Sequence, residues 1–378
     1  MGLIPEVMIS PKTLNNWLTI GYGIDTFRYN RMVILTVDSQ EGYKKGHVPG
    51  AYLLEDNNVD LWATRSNGIT DSPFQVATKA QMDKIIRRTN IDNDSIVVIT
   101  GNNMVQIGRV YFNFRYWGFP RQSLKVLNST NATYATAGFP LQTITPPAPV
   151  PCQYSVCSLQ QQYSVYKVRA SFQEMLLVAE ANNPETVIID SRSTEEYAGK
   201  AGSTPLNPEG TEYVVFEGHI QTAVNQAYKT LMKGQNNSSP LLSKAELAAA
   251  FKQINVDNTS TSFVYSRTGP EAALTFLALD AVLNWPAKIY DGGWSQWGQM
   301  AEIAPTMGGL LEKGSPWRTD TPGRSESITY NKPNGFIVST RGSYQTLAKH
   351  ADEVNRQDSV ICGGTAEGID VAPLVPGY

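Results

Sequence analysis

The segment Thr145–Pro151, T-P-P-A-P-V-P, is the strongest constraint that this sequence places on its own fold. Proline fixes φ near −65° and has no N–H to donate, so the stretch favours extended polyproline geometry and excludes helix. It divides the 378-residue chain into two parts in which one order of motifs recurs. A chain of this length exceeds one ordinary domain, and a repeated unit accounts for two.

In the first part, Met32 to Val37 (M-V-I-L-T-V) is a continuous β-rich apolar run that ends at Asp38-Ser39. Such a run reads as a parallel strand buried on both faces. Glu41-Gly42-Tyr43 and then G-H-V-P-G-A, Gly46 to Ala51, follow it. A helix over Lys79–Arg88, a strand over Ser95–Thr100, the loop Gly101-Asn102-Asn103, a helix from about Gln106 to Tyr116 and a strand over Leu124–Leu127 complete the unit. In the second part, Thr186–Ile189 leads to Asp190-Ser191-Arg192, again strand and then acidic turn. Glu195-Glu196-Tyr197 and Gly218-His219-Ile220 stand where Glu41-Gly42-Tyr43 and Gly46-His47-Val48 stood. A helix over Leu242–Ile254 with Ser243 as its start signal, a strand over Ser262–Tyr265, a helix over Ala272–Leu283 and a strand over Lys288–Tyr290 follow.

Strands that alternate with helices predict α/β architecture, with two doubly wound domains around central parallel sheets. The expected partition is 1–145 for the first domain, 146–162 for a Pro-rich linker, 163–303 for the second domain and 304–378 for an irregular C-terminal extension. In the extension, Trp317 to Arg324 is rich in turn residues, Ile337–Thr340 suits a short strand and Tyr344–Asn355 a helix. Too short for a third full domain, it is expected to wrap over the other two or to dock a protein partner.

The net charge is −3 and the pI near 5.8, which argues against a nucleic-acid surface. No run of about 18 apolar residues is present, so no membrane span is expected. Met1 to Glu6 carries neither a basic n-region nor an apolar core, which suits a cytoplasmic protein or one whose signal has been removed. Charged residues make up 17% of the chain, against about 25% in typical soluble proteins, and this leans towards an exported, extracytoplasmic location. Of the three cysteines, Cys152 and Cys157 lie together in the linker, where a disulfide would close a small loop in an oxidising compartment. Cys362, in I-C-G-G-T, reads as a buried or loop thiol. The C-x4-C spacing has no second ligand pair nearby, so no metal site and no cofactor are expected.

The chemistry concentrates in F-V-Y-S-R-T-G-P-E-A, Phe263 to Ala272. A strand runs into a short loop and then a helix start. Inward-facing loop amides and a helix N-terminus form a concave anion site. Three stretches together, V-D-S with E-G-Y-K-K-G-H-V-P-G-A, I-D-S-R-S-T-E-E-Y, and V-Y-S-R-T-G with Y-D-G-G-W-S-Q-W, resemble the tandem-domain rhodaneses, the thiosulfate sulfurtransferases. The resemblance spans about residues 5 to 300 and leaves the extension uncovered. It implies a structural first domain and a second domain whose loop opens on a persulfide-carrying cysteine. It also implies packing roles for Trp294 and Trp297, and structural roles for His47 and His219.

At the implied nucleophile position the residue is Ser266. Sulfur transfer needs a thiolate, and a hydroxyl has no accessible anion near neutral pH. Serine catalysis needs an adjacent base, and the chain has only His47, His219 and His350 as imidazoles. Arg267, Thr268 and Gly269 keep the cradle, while Pro270 removes one N–H and Glu271 places a carboxylate where catalytic members carry a basic group. Asp190, Arg192, His219 and Trp294 are the expected supporting residues. The resulting expectation is a protein without persulfide transfer that binds a small anion, such as thiosulfate or another sulfur or selenium oxyanion, or docks a partner. The alternative is a sulfurtransferase whose native cysteine at position 266 has been replaced by substitution. A phosphatase-like reaction on the same loop would also need the cysteine.

Overall fold

The computed structural model describes residues 6–20, 31–56, 60–66, 71–160, 168–181, 183–199, 218–297 and 353–363. In these residues the strands, in chain order, are β1 (Met8–Ile9), β2 (Met32–Asp38), β3 (Tyr52–Glu55), β4 (Ala63–Ser66), β5 (Asp71–Gln75), β6 (Ile96–Gly101), β7 (Leu124–Leu127), β8 (Thr186–Asp190), β9 (Val224–Asn225), β10 (Thr261–Tyr265) and β11 (Ala287–Tyr290). The first sheet runs β1-β7-β6-β2-β3 and the second β11-β10-β8-β9. Every pairing in both is parallel. A parallel bridge from Arg169 to Ile289 stands beside β11 where β1 stands beside β7, so the two halves share one strand order. The β-rich runs read from the sequence are these central strands, and Val97 to Ile99 and Phe263 to Tyr265 are fully buried in them.

Local signals set the helix limits. Thr78 caps Lys79–Thr89 and Ser243 caps Lys244–Gln253, each with the reciprocal bond of a capping box. Pro270 opens the helix Pro270–Phe276, which widens into a π-helical stretch over Leu277–Leu283 and ends at Asn284 with φ 58°. The halves meet where this helix crosses Met104–Tyr116. A Cβ at Gly108 would lie 3.0 Å from the Ala273 carbonyl oxygen, so glycine permits the close crossing. Phe112 meets Phe276 edge-on at 5.6 Å, and Arg115 Nε lies 3.0 Å from Asp280.

Some elements were not legible. Pro11–Thr19 is polar along most of its length and fully buries only Leu14. Phe172–Ala181 is apolar on nearly every face and so shows no 3.6-residue period. The antiparallel hairpin of β4 and β5 lacks an alternating apolar pattern. Among the described residues, no helix is long and apolar enough to cross a membrane.

The C-terminal extension contributes the helix Glu353–Ile361; the strand read over 337–340 and the helix start read at 344 lie outside the described residues. Asp358 makes a buried bidentate pair with Arg65, at 2.7 and 2.8 Å, and accepts from Tyr116 Oη at 2.8 Å. Arg169 Nη1 donates to Asn355 at 2.8 Å. The helix is therefore held by residues of both halves.

The cysteine pairing differs from the expectation. Cys157 bonds to Cys362, with 5.1 Å between Cα atoms, and Cys152 is free. Cys157 lies on the helix Val156–Gln160, whereas the Cys152 thiol turns inward to the Ile91 carbonyl at 3.2 Å. The linker cysteines thus serve separate surroundings. Peptide mapping without reductant should recover a Cys157–Cys362 peptide and an unmodified Cys152. Asp358→Ala strands a buried guanidinium and should cost about 3–5 kcal/mol in denaturant unfolding, with Arg65→Met/Asp358→Leu much milder. A loss below about 1 kcal/mol for Asp358→Ala would show that the pair contributes little.

Candidate functional site

β10 ends at Tyr265, and the chain turns through Ser266-Arg267-Thr268-Gly269 into the helix that starts at Pro270. This is the carboxyl end of a central parallel strand, the usual position for a ligand crevice in open α/β sheets. Gly269 has φ +103°, a conformation that side chains rarely adopt, and it brings the loop against Asp291. The loop's carbonyls are turned away and fixed. Trp294 N–H donates to Ser266 O at 2.8 Å, and Ser295 gives Arg267 O both its amide, at 2.9 Å, and its hydroxyl, at 2.7 Å. Gly293 makes this contact feasible, because a Cβ there would sit 2.5 and 2.6 Å from those two oxygens.

Ser266 is fully buried, and its Oγ accepts the Gly269 N–H at 2.9 Å. The Glu271 carboxyl lies close to this hydroxyl. Burial pushes the Glu271 carboxyl above its ordinary range, and the nearby Glu196 adds to this. Its own amide, the Ser266 hydroxyl and Arg267 act in the opposite direction. None of the three histidines named in the sequence serves as a base for Ser266 among the described contacts. His47 Nδ1 lies 2.8 Å from Tyr43 O and His219 Nδ1 2.8 Å from Tyr197 O; each ring stacks on its tyrosine. His350 lies outside the described residues.

Beneath the loop, Asp190 is fully buried at the end of β8. It accepts Arg192 Nη2 and Tyr265 Oη, both at 2.6 Å. Burial alone would lower the Arg192 pKa, but Asp190 and Tyr265 carry it above its ordinary value. The guanidinium lies 4.8 Å from the Trp294 ring centre. Asp190, Arg192 and Trp294 therefore form one stacked, charge-paired cluster. His219 stacks on Tyr197, and its neighbours on both sides reach the cluster: the Gly218 carbonyl accepts from Arg192 Nη2 at 2.5 Å and the Ile220 amide donates to Tyr265 Oη at 3.0 Å. Trp297 is buried, as expected of a packing residue.

A pocket of about 290 Å³ opens beside the loop. Arg192, Arg267, Glu196 and Glu271 supply its charge, Thr268 and Tyr228 its hydroxyls, and Phe74 and Pro270 its apolar wall. Arg267 Nε lies 3.3 Å from Glu196. Phe74 comes from β5 of the first half and holds φ 58°, with its carbonyl accepting from Arg109 Nη2. Burial and the charge of Glu271 push the Tyr228 phenol up. Phe74 and Tyr228 carried no sequence signal. Glu196 did, through the repeated E-E-Y. Asp291, whose Asp-Gly pair has the composition of a surface turn, is instead fully buried and takes Arg169 Nε at 2.7 Å and Val76 N–H at 2.9 Å. Gly293→Ala should cost about 2 kcal/mol or more in thermal or chemical unfolding, since two carbonyls must move. A near-neutral effect would mean that the loop and the 291–295 turn part easily.

The pattern described as Rhodanese-like domain matches residues 175–300. The sulfur carrier protein TtuD of Thermus thermophilus is 26% identical over 270 residues, covering 70% of this chain and 87% of that protein. A putative thiosulfate sulfurtransferase 1 of Mycobacterium bovis is 25% identical over 288 residues, covering 75% of this chain and 93% of that protein. The Tum1 protein of Saccharomyces cerevisiae superposes with a TM-score of 0.59 at 17% identity, over 85% of this chain and 99% of that one.

Proposed function

We propose, for a chain that belongs to the rhodanese-like proteins, a binding role without persulfide transfer of its own. The observation that carries this reading is the state of Ser266. It is a buried hydroxyl at the head of the loop, engaged by Gly269 N–H. Oxygen at that position cannot hold sulfane sulfur, and no imidazole among the described contacts is placed to deprotonate it. The rest of the frame is intact: the strand end, the left-handed Gly269 and the paired Asp190–Arg192 support. Such a frame retains a shaped pocket after its chemistry is removed. The binding surface in this reading is the pocket lined from both halves, in a protein whose two domains are joined by the linker at 146–162. The extension adds a second candidate surface for a protein partner.

The test is a thiosulfate:cyanide sulfurtransferase assay on the full chain. The unaltered protein should show no turnover above the uncatalysed rate. Ser266→Cys places a thiol where Gly269 N–H already points, and Ser266→Cys/Glu271→Arg also removes the opposing carboxylate. Turnover should therefore rise from the single to the double variant by about tenfold, the effect of reversing one nearby charge on an anionic donor. Turnover by the unaltered chain would sink this reading. Activity in both cysteine variants with none in the serine protein would fit either a naturally lost or a substituted nucleophile, and the encoded codon at position 266 separates those two.

A further inference from the structure

The pocket beside the loop has an unusual charge balance. Two arginines reach it, and each faces a carboxylate of its own. Arg192 is bidentate to Asp190, at 2.6 and 3.0 Å, and Arg267 Nε faces Glu196 at 3.3 Å. Glu271 is a third carboxylate, and no third cation lines the pocket among the described residues. Its Oε2 is enclosed and has no hydrogen-bond partner there. Buried carboxylate oxygens are costly to leave unmet. The groups facing Glu271 are the Ser266 hydroxyl and Arg267 from the loop, Glu196 from the short helix Thr194–Tyr197 and Tyr228 from the turn Tyr228–Leu231. An oxyanion entering this space meets a surplus negative charge. A ligand bearing an ammonium meets an acceptor.

The remaining walls suit the same ligand. Phe74 and Tyr228 present aromatic side chains, and Pro270 adds apolar surface. Aromatic faces attract a cation in addition to shielding a hydrocarbon body. The volume of about 290 Å³ is at the low end of ligand pockets, which fits a ligand of one ring or a short chain.

We propose that this pocket takes a small primary ammonium compound, with Glu271 as the residue that recognises the cationic nitrogen and turns oxyanions away. The proposal rests on reading the loop as a binding site and concerns its ligand class. A carboxylate five positions after Ser266 thereby changes what the loop selects. Because the carboxyl holds its proton to a higher pH than an ordinary glutamate, ammonium affinity decreases as pH falls through the upper carboxylate range.

Isothermal titration of the full chain with benzylammonium, benzyl alcohol, benzoate and thiosulfate tests this. Benzylammonium should bind, with benzyl alcohol weaker. Glu271→Gln, checked for an unchanged melting temperature, should weaken benzylammonium by about tenfold, the scale of one charge-assisted hydrogen bond. Benzoate and thiosulfate should bind detectably only to Glu271→Arg. No benzylammonium binding at millimolar concentration, or equal binding by Glu271→Gln, overturns the proposal. So does thiosulfate binding to the unaltered chain as tight as that of benzylammonium. These readouts involve no turnover, so sulfurtransferase activity in the unaltered chain would sink the non-catalytic reading while leaving the ligand class to be decided here.

Discussion

The buried carboxylate of Asp291 is the point on which the rest of the molecule depends. It sits directly after β11, and its oxygens take Arg169 Nε and the Val76 amide, while its carbonyl accepts from Gln75 Nε2 at 2.7 Å. Val76 and Gln75 belong to the first half, and Asp291 to the second. Arg169 passes the connection to Asn355 on the C-terminal helix. Gly269 packs against the Asp291 backbone and Cβ, so the loop is seated on the same residue. Arg109, fully buried 3.8 Å from this carboxylate, is pushed down to about 10 by burial, partly offset by Asp291. A single unpaired charge here would be expensive, and the surrounding cations and amides fix its geometry.

The repeated architecture diverges at corresponding points. Both halves keep the Tyr–His stack, with Tyr43 Oη reaching Ala51 O and Tyr197 Oη reaching Ala223 O. At the strand end they part. Asp38 accepts from Ser39 N–H and Asn102 Nδ2, and burial leaves its pKa raised. Asp190 instead holds an arginine, and a charged pocket opens beside it. In the first half Asn103 caps the following helix with its own side chain, accepting from the Val105 and Gln106 amides. One frame thus supports a packed turn in one half and a ligand-sized opening in the other.

The strand–helix alternation, the parallel sheets and the loop were legible because each rests on local pattern: apolar β-branched runs, Ser243 before a helix, glycine where φ must be positive. Ser266, Arg267, Thr268, Gly269 and Glu271 fall together for the same reason, being contiguous. What escaped the sequence was contact between distant segments. Phe74 lines the pocket only because the β4–β5 hairpin folds across the second half. Asp291 reads as a turn until Arg169 and Val76 are placed around it. The cysteine spacing suggested the nearer partner, but proximity along the chain does not determine which thiol faces which. Cys157 meets a residue 205 positions away because the C-terminal helix returns to the linker.

That last bond has a topological consequence. It closes residues 157 to 362 into a covalent ring that contains the whole second sheet, the loop and the pocket's arginines. A protease that cuts once inside the ring opens it but releases nothing, and the two fragments stay joined at the sulfur atoms. Under oxidising conditions the second half can therefore be nicked and still stay assembled against the first. Its persistence as a single molecule would then depend on the redox potential around it more than on the integrity of its backbone.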